Sequence, residues 1–367
     1  MIKVCQVTCV HDRYDARIFY KIAKSLSDNG YDSYILCMDS KGNEERNGVK
    51  FISVNYKPKN RINRILKSWK KMANEALKID AEIYQLHDPE LLPLGKFLTK
   101  KHKKVIFDSH EDGRDIGIKK WIPTPFRRLV CKLYLSYEKK AIKRIAGCIS
   151  VDKNIVDRLA NHNKNCVQIT NYPFLPKKYN HSINGYICYA GSPESYAQYE
   201  FISALENVTA KNKYYLITNL QDESIQRCKN LKKWGDVVKS GYVTFEELTD
   251  IYQNTCLGMS LAYPDIGTDN WNGVVGVTKL FEFLAFGIPV ICSSFNLWKD
   301  IVSKYNCGIY ANPYDVNEIS QKLNELLNDP EKLKELGHNA RIAAEQEFNW
   351  ATQEKKLLDY YKTIEEL

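Results

Sequence analysis

The feature that most constrains this chain is an alternation of short apolar runs with amphipathic helical stretches, and the alternation occurs twice. Apolar runs at 2–9, 32–37, 50–54, 82–86, 104–108 and 147–151 are separated by helix-period segments near 16–29, 61–79, 89–101, 121–146 and 153–161. The same rhythm restarts with runs near 186–190, 213–218, 236–239, 256–261, 288–292 and 307–310. Strands separated by helices cannot pair through tight hairpins, so they join parallel sheets with helices packed on the faces. A polar, proline-containing stretch at 171–184 (NYPFLPKKYNHSIN) divides the two blocks. The expected fold class is α/β: two Rossmann-like, doubly wound parallel-sheet domains facing a cleft. The expected boundaries are 1–170, a linker at 171–184, 185–348, and a C-terminal helix at 349–367. A chain of 367 residues is long enough for two cores. Ligands of such sheets gather at the carboxyl ends of the strands.

Several function classes drop out. The first strand is followed by Cys9-Val10-His11-Asp12-Arg13-Tyr14-Asp15-Ala16-Arg17 and not by a glycine-rich phosphate turn, which argues against NAD; no P-loop string is present either. Eleven scattered cysteines without a C-x-x-C pair read as reduced core thiols of a cytosolic protein, and zinc is not expected. No D-x-D string offers a clamp for a metal-bound diphosphate. The N-terminus lacks the apolar core of a signal peptide, and no run reaches the roughly 18–20 apolar residues that span a bilayer. The net charge of +9 is uneven: residues 1–170 carry 34 Lys and Arg against 19 Asp and Glu, a net +15, and the remainder carries −6. An anionic partner for the first half is implied, and without a base-reading motif nucleic acid is not expected.

The string Lys279-Leu280-Phe281-Glu282-Phe283-Leu284-Ala285-Phe286-Gly287-Ile288-Pro289-Val290-Ile291 reads as a short helix, a glycine stop and a buried strand. Leu280, Phe281, Leu284 and Ala285 form its apolar stripe. Glu282 lies among packing residues, so it either reaches solvent or is held for a ligand. Ahead of the helix, Asp269-Asn270-Trp271-Asn272-Gly273 opens into Val274-Val275-Gly276-Val277-Thr278. A glycine-containing helix start lets Gly276, Val277 and Thr278 offer backbone N–H groups to phosphate, with Lys279 adding a charge unless it is an ordinary surface lysine. Gly191 and Ser192 make a turn after another apolar strand. Asn219 and Tyr242 follow the next two, and Thr244 with Glu247 reads as a helix capping box. In the first half, His87 and His110 stand at the ends of neighbouring strands. Arg13 and Arg17, in the first strand–helix loop, would meet phosphate or acceptor, or remain solvated. Two segments mix cations with large apolar residues: 57–72, with Trp69, and 119–129, with Lys119, Lys120, Trp121, Ile122, Phe126, Arg127 and Arg128. Such segments suit an anionic membrane surface, or else an amphipathic helix with solvated lysines.

The 279–291 string closely resembles the donor-site helix of retaining GT-B-fold glycosyltransferases of family 4, and 83–112 resembles that family more loosely. The resemblance implies transfer of a sugar from a nucleoside-diphosphate sugar to a glycan or lipid-linked acceptor, in bacterial surface polysaccharide synthesis. The protein would be cytoplasmic, peripheral to the inner face of the membrane, and in need of no metal or other cofactor. Glu282 would bind the ribose, Lys279 and the Gly191–Ser192 and Gly276 amides the diphosphate, and His110 the donor sugar. The GT-B likeness also implies that the final helix crosses back to the first lobe, near Trp350. Two departures stand out: Val274 replaces the family's second glutamate, and Tyr196 and Ala197 stand where its basic diphosphate clamp belongs. They leave open a GT-B sugar-nucleotide 2-epimerase and a non-catalytic nucleotide-sugar-binding subunit.

Overall fold

The computed structural model describes residues 1–110, 112–114, 122–179, 182–264 and 271–367. They form two compact units, Met1–Asn171 with Gln353–Leu367, and Tyr172–Thr352.

The first unit is built on an eight-stranded sheet of β1 Lys3–Thr8, β2 Asp32–Cys37, β3 Glu44–Arg46, β4 Val49–Ser53, β5 Ile83–Leu86, β6 Lys104–Ser109, β7 Gly147–Ser150 and β8 Cys166–Gln168, in the order β3-β4-β2-β1-β5-β6-β7-β8. Every neighbouring pair is parallel except β3–β4. All residues of β5 and β7 are buried, as expected of strands covered on both faces. The sequence reading misses β3 and β8, each three residues long and incompletely buried, because short edge strands carry no apolar signature.

Helix boundaries follow local chemistry. Asp15 accepts hydrogen bonds from the Arg17 and Ile18 amides and starts the segment Ala16–Ala23, which continues as Lys24–Asp28. Asn60 caps helix Arg61–Ile79, which ends at Asp80 in a left-handed conformation. The helix expected from 121 runs from Arg127 to Ile142, since Pro123 and Pro125 restrict the backbone before it. From Gln353 onward the last helix, Trp350–Glu365, packs within the first unit. The Tyr360 hydroxyl donates to the Asn165 carbonyl at 2.9 Å, directly over Gly147, where a Cβ would stand 2.0 Å from that oxygen. Only glycine fits beneath it.

The second unit has a six-stranded, wholly parallel sheet of β9 Tyr186–Ala190, β10 Tyr214–Ile217, β11 Val238–Ser240, β12 Thr255–Ser260, β13 Val290–Ser293 and β14 Gly308–Ala311, in the order β11-β10-β9-β12-β13-β14. Helix Thr278–Ala285 buries Leu280, Phe281, Phe283, Leu284 and Ala285. Phe283 was not in the expected stripe; it presses on Gly258 of β12, whose absent Cβ makes the room. Gly287, at φ +70°, ends this helix and turns the chain into β13. All eleven cysteines are free and nine are buried. Among the described residues, no helix is long and apolar enough to cross a membrane.

Candidate functional site

In the second unit, helix Thr278–Ala285 begins without a side-chain cap, after Val277 in extended conformation. Among the described residues, no capping side chain occupies the amides of its first turn. The loop before it is pinned from one side: the Asn296 and Leu297 amides donate to the Trp271 and Asn272 carbonyls at 2.8 and 3.0 Å, and the Trp298 indole N–H donates to the Val274 carbonyl at 2.9 Å. Lys279 is half-buried, with its ammonium 5.0 Å from the Tyr196 ring centroid and 5.7 Å from that of Tyr189. Burial lowers its pKa, while the charge of Glu282 works against that fall. Its aliphatic stem fills the space over Gly191, where a Cβ would lie 1.9 Å from Lys279 Cε, and Gly191 itself has φ +146°. Glu282, one turn on, is half-buried, and its Oε2 accepts from the buried Tyr252 hydroxyl at 3.4 Å. Burial, and then the Glu282 charge, raise the Tyr196 hydroxyl to about 12 and push Tyr252 up as well. A carboxylate and an ammonium on one helix start, beside uncapped amides, suit a ligand that carries both hydroxyls and phosphate.

Several expected donor contacts belong to the scaffold instead. The Gly191 amide donates to the Ile217 carbonyl at 2.9 Å and the Gly191 carbonyl accepts from Thr218 at 2.6 Å, so this glycine supplies space for Lys279 and not a phosphate donor. Ser192 accepts from the Tyr189 hydroxyl through its carbonyl. Asn219 organises a turn, its Oδ1 taking the Gln221 amide and its carbonyl the Asp222 amide, each at 3.1 Å. Tyr242 is 85% exposed, with no element packed over it. Gly276, Val277 and Thr278 do lie at the helix start, and Thr244 and Glu247 form the expected capping box. Tyr196 and Ala197 are core residues, and Tyr196 offers Lys279 a π face where the resembled family has a cation.

The first unit gathers its polar groups at the ends of β1, β5 and β6. His87 Nδ1 and His110 Nε2 are 3.1 Å apart, and His87 Nε2 is 2.9 Å from Gln6 Oε1. Asp108 receives Arg17 Nε and Nη2 and Gln85 Nε2, all at 3.0 Å. The Tyr361 hydroxyl closes the ring, donating to Gln85 at 2.7 Å and accepting from Gln6 at 3.0 Å. His110 keeps 19% of its side chain exposed, whereas His87 and Asp108 have none. Burial would raise the Asp108 carboxyl, but the Arg17 guanidinium and the two histidines hold it well below its usual range. Burial lowers His87 against the pull of Asp108. The His11 ring lies tilted at 48° against that of His110, centroids 4.8 Å apart, with its ring nitrogens 3.5 Å from Asp15 and 3.4 Å from Asp88. Its pKa is raised, first by the Asp15 hydrogen bond, against a smaller opposing effect of burial.

This arrangement corrects the expectations for the two loop arginines. Arg13 is saturated by Asp39, Glu44 and the Gly42 carbonyl and is 2% exposed, so it braces the loop and meets no ligand. Arg17 is the buried counter-ion of Asp108 and also donates to the Ile169 carbonyl at 2.9 Å. His87, expected to meet acceptor or phosphate, is 2% exposed at the back of the cavity, with one ring nitrogen on His110 and the other on Gln6. Sequence reasoning missed His11, Asp88 and Asp108, although all three stand at strand ends beside residues it did name. Among the described residues, His87, Asp108 and His110 have ligating atoms within 4.8 Å of one another, as a metal site would need. Arg17 already supplies the positive charge there, and the Asp108 oxygens are taken, so the group fits a hydrogen-bonded relay better than a cation site.

Beside His110 opens a cavity of about 610 Å³ within the first unit, its walls mostly apolar and aromatic. Of the residues expected at a membrane, Lys119, Lys120 and Trp121 lie outside the described residues, as do Asp269 and Asn270 of the donor loop. Arg128 and Phe126 are exposed, whereas Arg127 Nε donates to the Ile122 carbonyl at 2.9 Å and Ile122 is buried. Trp69 packs partly on the core and lines the cavity, so its contact is inward.

Two family models match this chain: "Glycosyltransferase Family 4" over residues 16–170 and "Glycosyl transferases group 1" over 218–343. No curated protein matches the chain by sequence. Among solved structures, it is similar to the sucrose-phosphate synthase of Thermosynechococcus elongatus, with a TM-score of 0.71 and 15% identity over 99% of each chain. It is also similar to Anabaena HepE in complex with UDP and glucose, with a TM-score of 0.69 and 14% identity over 99% of this chain and 100% of that one. A glycosyltransferase from Rickettsia africae gives a TM-score of 0.67 and 16% identity over 99% and 98%.

Proposed function

Because the chain belongs to the glycosyltransferases of group 1 and family 4, with a GT-B fold, we propose that it transfers the sugar of a nucleoside-diphosphate sugar to a glycan or lipid-linked acceptor. In this reading Glu282 accepts the ribose hydroxyls. Lys279, with the Gly276–Thr278 stretch at the helix start, takes the diphosphate, and His110 is the group of the first unit that acts on the transferred sugar. The acceptor hydroxyl oxygen forms a bond to the anomeric carbon as the bond to the diphosphate oxygen breaks. The acceptor attacks on the face from which the diphosphate departs, its hydroxyl proton passing to that diphosphate, and this same-face attack retains the stereochemistry without a protein nucleophile. Helix amides and Lys279 stabilise the negative charge of the leaving group without a metal ion.

The observation that carries this reading is the joint placement of Lys279, Glu282 and the uncapped helix start, with Gly191 shaped to pass the lysine. Anabaena HepE is described with UDP and glucose, which supports testing uridine donors first. The setting is synthesis of a bacterial surface polysaccharide in the cytoplasm, with the basic first unit on the inner membrane leaflet. The test is a thermal-shift screen of UDP-, GDP-, dTDP- and CMP-sugars, since ligand at 100 times its dissociation constant stabilises by about 2.7 kcal/mol. Absence of a shift with every donor would overturn the reading.

A further inference from the structure

The hydrogen-bond chain that runs from Asp108 to His110 has a direction, set at its charged end. Asp108, held ionised by the buried Arg17 guanidinium, can only accept. Gln85 therefore turns its Nε2 to Asp108 at 3.0 Å, which leaves its Oε1 facing the Tyr361 hydroxyl. Burial pushes the Tyr361 pKa up, so that hydroxyl keeps its one proton and donates it to Gln85 at 2.7 Å. Toward Gln6 it can then only accept, and it takes Gln6 Nε2 at 3.0 Å. Gln6 Oε1 is in consequence the atom 2.9 Å from His87 Nε2, so that nitrogen carries a hydrogen. Burial lowers the His87 pKa and keeps the ring neutral at neutral pH, which makes its Nδ1 a bare acceptor. His110 Nε2, 3.1 Å away, must then be the protonated nitrogen of its own ring. In neutral His110 the lone pair is thus on Nδ1, the nitrogen left for a substrate in the cavity that His110 lines.

The two histidines alone do not make this choice. Asp108 Oδ2 lies 3.4 Å from His87 Nδ1 and would favour a hydrogen there, and with it the opposite tautomer of both rings. The choice is made at Gln6. Rotating its amide would force the Tyr361 hydroxyl to donate to Gln6, and Gln85 could answer only by turning its carbonyl oxygen against the Asp108 carboxylate. Gln6, Gln85, Asp108 and Tyr361 are all fully buried, so water does not compensate for such a mismatch. Tyr361 itself is held in place. It packs edge-on to Tyr31 with centroids 5.8 Å apart, and its helix is tied down where Glu365 accepts from the Tyr31 hydroxyl and from Lys104 Nζ. We propose that Tyr361 is a positioning residue for the reaction: acting through Gln6 and His87, its hydroxyl sets the tautomer in which His110 meets a sugar hydroxyl as an acceptor. This role rests on the reading of His110 as the group that acts on the transferred sugar, and it adds to that reading a determinant on the last helix of the chain.

The test uses the whole chain with isotope-labelled histidine at about pH 8, above the ordinary imidazole range. Long-range proton–nitrogen correlation spectra tell a protonated ring nitrogen from a bare one, and His110→Gln identifies the His110 signals. Wild-type His110 is expected to be protonated at Nε2 and bare at Nδ1. Tyr361→Phe frees the Gln6 amide to rotate, so this tautomer should fall to about half of the population or less. The kcat for sugar transfer should fall in proportion, with affinity for the bare nucleoside diphosphate unchanged. Gln85→Met cuts the chain between Asp108 and Tyr361 and should give the same result, which keeps the test open if Tyr361→Phe does not fold. Tyr360→Phe is the control for a merely structural role. It removes a hydroxyl on the same helix that donates to the Asn165 and Cys148 carbonyls, so it should lower stability and leave the His110 tautomer as in the wild type. An unchanged tautomer in folded Tyr361→Phe or Gln85→Met overturns the proposal, as does a wild-type His110 protonated at Nδ1. A changed tautomer with an unchanged rate of transfer supports the hold of Tyr361 on the ring and overturns the reading of His110 instead.

Discussion

The two units share one sheet logic yet treat polar groups at their strand ends in opposite ways. In the first, Gln6, Gln85, His87, Asp108, Arg17 and Tyr361 are locked into one another, while His110 and His11 beside them keep partial exposure. In the second, the Lys279 ammonium lies over the Tyr196 ring and Glu282 accepts from the Tyr252 hydroxyl at 3.4 Å, and both side chains stay half-buried where the helix Thr278–Ala285 begins. A closed network fixes one orientation of the His110 ring. The second leaves an ammonium and a carboxylate half-buried on one helix face, within reach of solvent. Rigidity is thus expected to matter more to the first unit, and ligand charge more to the second.

The largest expected effect tests the closed network. Asp108→Asn would leave the buried Arg17 guanidinium without its counter-ion and should cost about 3–5 kcal/mol in chemical unfolding. Because the Asp108 carboxyl is held below its ordinary pKa, the folded state binds fewer protons than the unfolded state in acid. Its contribution is therefore complete above about pH 4 and is lost as the pH falls further. The variant should show a flatter acid limb than the wild type. An equal loss at all pH values would mean that the carboxylate is not stabilised as described.

Next comes His110→Ala, which should lower sugar transfer about a hundredfold through lost positioning and leave affinity for the bare nucleoside diphosphate unchanged. Transfer near the wild-type rate would assign the chemistry elsewhere. Glu282→Gln tests the sparse site: nucleotide affinity should fall by about 1.5–3 kcal/mol, the range for hydrogen bonds to a charged group, with stability preserved. Equal affinities by calorimetry would erase the contrast between the units. The smallest effect concerns the outer face. Arg128→Ser should weaken binding to anionic vesicles by about 1 kcal/mol at low salt and by less at high salt, as screening grows. Neutral vesicles should not distinguish the two proteins.

The sequence by itself determined the doubly wound architecture, because parallel strands buried on both faces must be written as uninterrupted apolar runs. It also determined the helix Thr278–Ala285, where Gly287, Pro289 and the apolar stripe of 280–285 are local signals that survive without knowledge of neighbours. The edge strands β3 and β8 escaped, being too short and too wet to leave a pattern. The roles of Arg13, Arg17 and His87 were decided only by tertiary structure. A loop arginine looks the same in sequence whether it faces a phosphate or a buried carboxylate 91 positions away, as Arg17 faces Asp108. Hydrogen bonds between distant elements, such as Gln6 on β1 to Tyr361 on the last helix across 355 positions, depend on a tertiary placement that no local propensity encodes. Burial then turns those groups from candidates for binding into the frame that holds His110 in place.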